Sequence, residues 1–183
     1  EKFYSKVKQI FVPPRPELAV VRGAVYAGLN PKAVTARISR RWYGVCQWMN
    51  FREGVDPESS RVKIDNIWRC QKRFGLMVKK GQKIGVDEYL EKELVIFKEF
   101  NSAGVIIPIY AFNGNETPPD YSTSSGMFKL AELNFDTPFS STDVNSKIVT
   151  FKMYFGLSEI KATAKLDSRE ITTTLRFDAT DVY

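Results

Sequence analysis

The sequence predicts a mainly β chain whose larger part is an antiparallel β-sandwich. Two observations lead there. From Tyr43 onward, short apolar-rich runs are separated by turn clusters rather than by long helices. Within the best of these runs apolar and polar residues alternate, the period that sends successive side chains to opposite faces of a sheet. Several such strands at hairpin spacing, each with one apolar face, bury those faces by stacking two sheets.

Taken in order, residues 6–12 form a short apolar-rich strand candidate, and Pro13, Pro14 and Pro16 force a turn after it. Residues 17–29 have helical spacing through Leu18, Val21 and Val25, and Ala19, Gly23 and Ala27 place a small-residue face on that helix. Pro31 closes it beyond Leu29 and Asn30. Residues 51–66 are polar and turn-rich, with Arg52, Glu53, Asp56, Pro57 and Glu58, and read as a surface insertion with one short helix. Residues 94–100 and 105–112 read as a hairpin about Asn101, Ser102, Ala103 and Gly104. Pro108 cannot donate to a ladder, so its strand should lie at an edge or carry a bulge. The Pro, Ser and Thr content of residues 113–126 marks an exposed, mobile loop, and residues 127–135 return as a strand. Val149, Phe151, Met153 and Phe155, then Ile160, Ala162, Ala164 and Leu166, then Ile171, Thr173, Leu175 and Phe177 alternate with polar residues about turns at Gly156 and at 167–170. They predict a three-stranded meander.

The 183 residues are 43% hydrophobic, enough to build a core. No apolar run approaches the roughly 20 residues that span a bilayer, and Glu1 opens no basic-then-apolar leader, so no membrane partner is expected. Two cysteines, Cys46 and Cys70, do not make a disulfide scaffold and point to a reducing, cytoplasmic compartment. Histidine is absent, which removes Ser-His-Asp and Cys-His nucleophile systems, His-ligated zinc and imidazole pH switches from this chain. No carboxylate pair stands out in an apolar setting that would drive two pKa values apart. The chain by itself is therefore not expected to be an enzyme.

The net charge is +6, with basic clusters at Arg37, Arg40 and Arg41 and again over residues 69–83. Trp42, Tyr43, Trp48 and Trp68 lie among them, a pattern that can grip phosphates and stack bases. No nucleic-acid fold signature accompanies it, so a solvated basic rim around core aromatics is the better reading, and nucleic acid is not an expected partner. Residues 75–83 have the glycines and lysines of a phosphate loop but the wrong spacing, and predict a charged turn between strands.

Four segments carry a family resemblance: Pro16-Glu17-Leu18-Ala19-Val20-Val21-Arg22-Gly23-Ala24; Arg40-Arg41-Trp42-Tyr43-Gly44-Val45; Trp68-Arg69-Cys70 with Phe74; and Phe155-Gly156-Leu157-Ser158-Glu159-Ile160-Lys161-Ala162-Thr163-Ala164. Together they resemble the seventy-kilodalton heat-shock chaperones, the DnaK-like family, in wording closest to its divergent twelve-A and twelve-B branch. The resemblance implies that residues 1–38 are the last strand and helix of an actin-like nucleotide-binding lobe plus a connector, and that residues 39–183 are a substrate-binding β-sandwich. It places Glu17 and Gly23 near the nucleotide, with ATP and Mg expected only together with an upstream nucleotide-binding domain. For peptide capture it marks Tyr43 and Val45 on the first strand and Phe97, Phe100, Ala103, Val105 and Ile107 about the 101–104 turn. The implied partners are extended or unfolded peptide segments or a client protein, and that upstream domain. The family's interdomain linker is acidic and leucine-rich, whereas residues 32–41 are basic, a departure that sets this chain apart from ordinary chaperone allostery. The alternative is a basic docking module for an acidic protein, nucleic acid or anionic headgroup that has lost peptide binding. Salt dependence separates the two.

Overall fold

The computed structural model describes residues 12, 14–30, 33–97, 104–136, 139, 145–155 and 159–175. The predicted strand at 6–12, apart from Val12, and Phe100, Ala103, Phe177 and the Gly156 turn lie outside the described residues. The chain divides into two compact units, Glu1–Thr35 and Ala36–Tyr183.

In the first unit a single 3-10 turn, Pro16–Leu18, leads into helix α1, Ala19–Leu29. Pro16 opens the turn, where its missing N–H has no ladder to break, and Glu17 sits in that first turn, where the helix dipole favours an acid. Asn30 ends the helix by donating from Nδ2 to the carbonyl of Tyr26 at 3.1 Å. The helix predicted from spacing is thus present, and none of its residues is buried.

The second unit is the sandwich. Its strands are β1 (Ala36–Ile38), β2 (Trp42–Asn50), β3 (Arg61–Ile64), β4 (Ile67–Val78), β5 (Lys83–Gly85), β6 (Tyr89–Phe97), β7 (Gly104–Phe112), β8 (Met127–Asp136), β9 (Ser146–Phe155), β10 (Ile160–Leu166) and β11 (Arg169–Leu175). One sheet runs β11-β10-β9-β6, the other β3-β4-β2-β7-β8, and β1 pairs with β5. Every named pairing is antiparallel. Inward residues of both sheets form one core cluster that includes Val45, Val78, Ile109, Phe135, Val149, Phe151, Met153, Ala164 and Leu166. Tyr43 of one sheet meets Phe155 of the other edge to face, ring centroids 5.6 Å apart.

The meander stands as predicted, β10 lying between β9 and β11. On β9 the alternating residues Val149, Phe151, Met153 and Phe155 are buried. The expected hairpin between residues 94–100 and 105–112 does not form. β6 pairs with β9, β7 pairs with β2 and β8, and the two consecutive strands belong to opposite sheets. Both runs are rich enough in apolar residues to face a core, and a crossing between layers buries them in it as well as a hairpin would. Local pattern does not distinguish the two arrangements.

Pro108 meets its expectation in local form. β7 is internal to its sheet, yet β2 pairs with it only from Trp42 to Val45, opposite Phe112 to Ile109. Pro108 is the first residue past that ladder, and a register shift falls between Ile109 and Tyr110. Residues 113–126, expected as an exposed, mobile loop, are mostly exposed, but the loop is pinned at Asp120 to Ser122. The Phe74 N–H donates to the Asp120 carbonyl (2.8 Å), the Ser122 N–H donates to the Lys72 carbonyl (2.9 Å), and Ser122 is buried. These bonds line the stretch of β4 that β3 leaves uncovered. The phosphate-loop lookalike is the charged turn predicted: Gly81 has φ +82°, and Gln82 Oε1 accepts from the Lys79 N–H at 3.0 Å.

Candidate functional site

Where β2 and β7 part, the sandwich opens. Among the described residues, β2 continues beyond Val45 against β4 alone, while the first half of β7 continues against β8 alone. The gap is a cleft of about 270 Å³, lined by Cys46, Gln47 and Trp48 of β2, Gln71 and Lys72 of β4, the end of β6 from Leu94 to Phe97, and β7 from Gly104 to Pro108. Trp48 packs on Phe97 with centroids 5.7 Å apart, and the guanidinium of Arg69 lies 5.3 Å from the centroid of the same ring.

The cleft collects Phe97, Val105 and Ile107 from the residues marked by the sequence. Tyr43 and Val45 lie farther along β2, in the core. Phe100 and Ala103 are outside the described residues. Glu17 and Gly23 stand exposed on the 3-10 turn and on α1 in the other unit. Sequence reasoning did not select Cys46, Gln47, Trp48 or Lys72. Pro108 was the signal available for them, since a strand that cannot donate at that point has a reason to leave its neighbour.

One wall of the cleft is braced by an ionic cluster. The side chain of Asp56, fully covered, accepts from the backbone N–H of Arg52 (2.8 Å), from Arg52 Nη2 (2.8 Å), from Arg73 Nη1 (3.0 Å) and from the Tyr121 hydroxyl (2.6 Å). Arg52 also pairs with Asp120 at 2.6 Å. Burial alone would push the Asp56 carboxyl up. The hydrogen bonds from Arg52 and Tyr121 and the charge of Arg73 outweigh it and hold the carboxyl well below the usual carboxylate range. Burial and the bond to Asp56 push the Tyr121 hydroxyl up. The cluster joins β4, the 113–126 loop and the part of the expected 51–66 insertion that precedes β3.

Several of the basic residues are built into the fold, while Arg37, Arg40, Lys63, Lys72, Lys79 and Lys83 are exposed. Arg41 is buried, 5.0 Å from the Phe128 centroid, and Arg73 lies in the ionic cluster. Arg61 stacks against Phe51 (4.7 Å) and the exposed Trp68 (4.3 Å) and pairs with Glu53. Among the described residues no group of three or more cysteine, aspartate or glutamate side chains could hold a metal ion, and no helix is long and apolar enough to cross a membrane.

The fold and the cleft define a class: an antiparallel β-sandwich opened between two strands of one sheet. No family model matches the sequence, and no solved structure matches it. Among known proteins the chain is similar to Heat shock 70 kDa protein 12A of Homo sapiens, 27% identical over 158 residues. The Mus musculus protein of the same name is 28% identical over 159 residues. Each match covers 85% of this chain, and the chain spans 23% of the length of these curated relatives. The resemblance read from the four sequence segments is thereby borne out as a similarity: over most of its length the chain resembles a heat-shock-70 protein of the divergent 12A type.

Proposed function

We propose that this chain is the C-terminal part of a divergent heat-shock-70-like chaperone ATPase, and that its sandwich binds extended segments of peptide or client protein in the cleft between β2 and β7. The observation that supports this is the parting of the two strands. Among the described residues, 105–108 have no strand neighbour on the β2 side and Cys46 to Trp48 have none on the β7 side, so an extended segment can be held by main-chain hydrogen bonds. Val95, Phe97, Val105, Ile106 and Ile107 supply apolar surface for a side chain of the ligand. Phe100 and Ala103, on the segment joining β6 to β7, complete the proposed contacts, and Tyr43 and Val45 support them from the core. No catalysis is assigned to this chain. ATP and Mg, and the nucleotide-adjacent roles of Glu17 and Gly23, belong to the whole protein with its upstream domain, in the cytoplasm. The rival reading as a basic docking module loses support from Arg41 and Arg73, whose guanidinium groups are buried inside the fold.

The test is fluorescence anisotropy with a labelled, extended apolar peptide. Ile106 lines the cleft but is half exposed, so Ile106→Asp places a charge there with little harm to the core. It should weaken binding by about tenfold or more. Ile148→Asp, on the outer face of β9 and outside the cleft, should bind normally. A folded Ile106→Asp that binds as the parent does sinks the reading.

A further inference from the structure

We propose that the cleft selects extended segments carrying a carboxylate beside an apolar side chain, and that Lys72 is the residue that makes this choice. The inference rests on the peptide-binding reading and adds the ligand chemistry.

The placement of Lys72 is built, not incidental. In the β2–β4 ladder Gln47 faces Arg73 and Met49 faces Cys70, so Trp48 alone stands opposite both Gln71 and Lys72. This is a β-bulge, a device that breaks alternation and re-aims a side chain. Lys72 takes φ 58°, a left-handed backbone that is uncommon for a residue with a side chain. The 113–126 loop pins it. The Lys72 carbonyl accepts from the Ser122 N–H, and Ser122 Oγ lies 3.1 Å from the same oxygen and 3.3 Å from Cys46 Sγ. One residue along, Arg73 bridges to Tyr121 and enters the Asp56 cluster. A left-handed residue pinned on both sides at the rim of an opening is the kind of outlier from which a functional role is inferred.

The charge of the lining agrees. Among the described residues the cleft presents one cation, Lys72, two amides, Gln47 and Gln71, and no carboxylate. Lys72 lies close to Cys46 on the neighbouring strand of the same wall: burial pushes the Cys46 thiol up, while the Ser122 hydroxyl and the Lys72 charge draw it partly back. Arg69, held by Asn50 and stacked on Phe97, adds a second positive charge beside the apolar wall. A segment bringing a carboxylate to this rim meets complementary charge, and one bringing a lysine meets repulsion with no carboxylate among the described lining residues to offset it.

The experiment uses three fluorescein-labelled peptides: Ser-Glu-Leu-Val-Leu-Glu-Ser, and the versions with both glutamates replaced by glutamine or by lysine. Affinity should fall in the order glutamate, glutamine, lysine, spanning roughly fivefold or more at low salt and narrowing as salt is added. Lys72→Glu should invert the order. Lys72→Gly, which suits the left-handed backbone, should narrow the spread to what Arg69 sustains while leaving the glutamine peptide bound, and it keeps the test readable if Lys72→Glu misfolds. Equal affinity for the three peptides, or an order unchanged in Lys72→Glu, overturns the charge selection and leaves peptide binding standing. If none of the three binds, the peptide-binding reading itself fails.

Discussion

The hydroxyl of Tyr121 donates a 2.6 Å hydrogen bond to the buried carboxylate of Asp56, joining two loops that are far apart in sequence. Asp56 is covered by side chains rather than set deep in the core, so breaking the cluster should cost about 2–3 kcal/mol for Asp56→Ala, the range for a charged hydrogen-bonded group losing its partners. Tyr121→Phe removes one bond and should cost about 1–2 kcal/mol. Urea unfolding of the two variants checks the order. A Tyr121→Phe loss as large as that of Asp56→Ala would mean the phenol, not the arginines, carries the cluster.

The same carboxylate sets an acid limit. Its pKa is held below the unfolded value of roughly 3.9, so its contribution is fully present above about pH 5 and is lost as pH falls through the folded value. The melting temperature of Asp56→Asn should therefore lie below that of the parent at neutral pH, and the gap should shrink in acid. A gap that widens on acidification contradicts the sign.

Gly44 and Gly75 let β2 and β4 approach. A Cβ on Gly44 would sit 2.5 Å from the Gly75 carbonyl oxygen and 2.6 Å from the Phe74 ring. Gly44→Ala should destabilise by about 1–3 kcal/mol. In α1 a Cβ on Gly23 meets nothing within 4 Å, and Gly23→Ala should raise helix content. Thermal unfolding for the first and far-ultraviolet circular dichroism for the second distinguish the cases.

Arg40 and Arg41 are adjacent but not equivalent. Arg40 is exposed and Arg41 is buried against Phe128. Arg40→Glu should leave the melting curve within about 0.5 kcal/mol of the parent, whereas Arg41→Glu, which buries a carboxylate where a cation stood, should lose more than ~2 kcal/mol. A joint charge reversal therefore reports on folding before it reports on any docking surface, and the single variants must be melted first.

Much of the sandwich was legible in order. The period-two runs of β9, β10 and β11 have one apolar face each and short turns, so local pattern dictates both the strands and their partners. The helix that opens at Pro16 and ends at Asn30 was equally plain, since its spacing and its cap lie within a few turns of chain. The cleft was half legible. Phe97, Val105 and Ile107 could be marked because the family resemblance points to the strands on either side of the 101–104 turn, and Pro108 announced an irregular ladder.

What the tertiary structure decided is which strands become neighbours and where they separate. Two consecutive apolar runs, β6 and β7, went to opposite sheets because burial rewards either layer equally, and only the global pairing chooses between them. The loop at 113–126 looked solvated by composition, yet Asp120, Tyr121 and Ser122 are held by Arg52, Asp56, Lys72 and Phe74, whose positions depend on the fold of other segments. Trp48 and Lys72 reached the cleft through a bulge that no local rule predicts, because it exists only in the register of β2 against β4. The sequence by itself determined the elements, whose forces act within a few residues. The site arises from contacts between residues distant in the chain, and those exist only once the two sheets have closed.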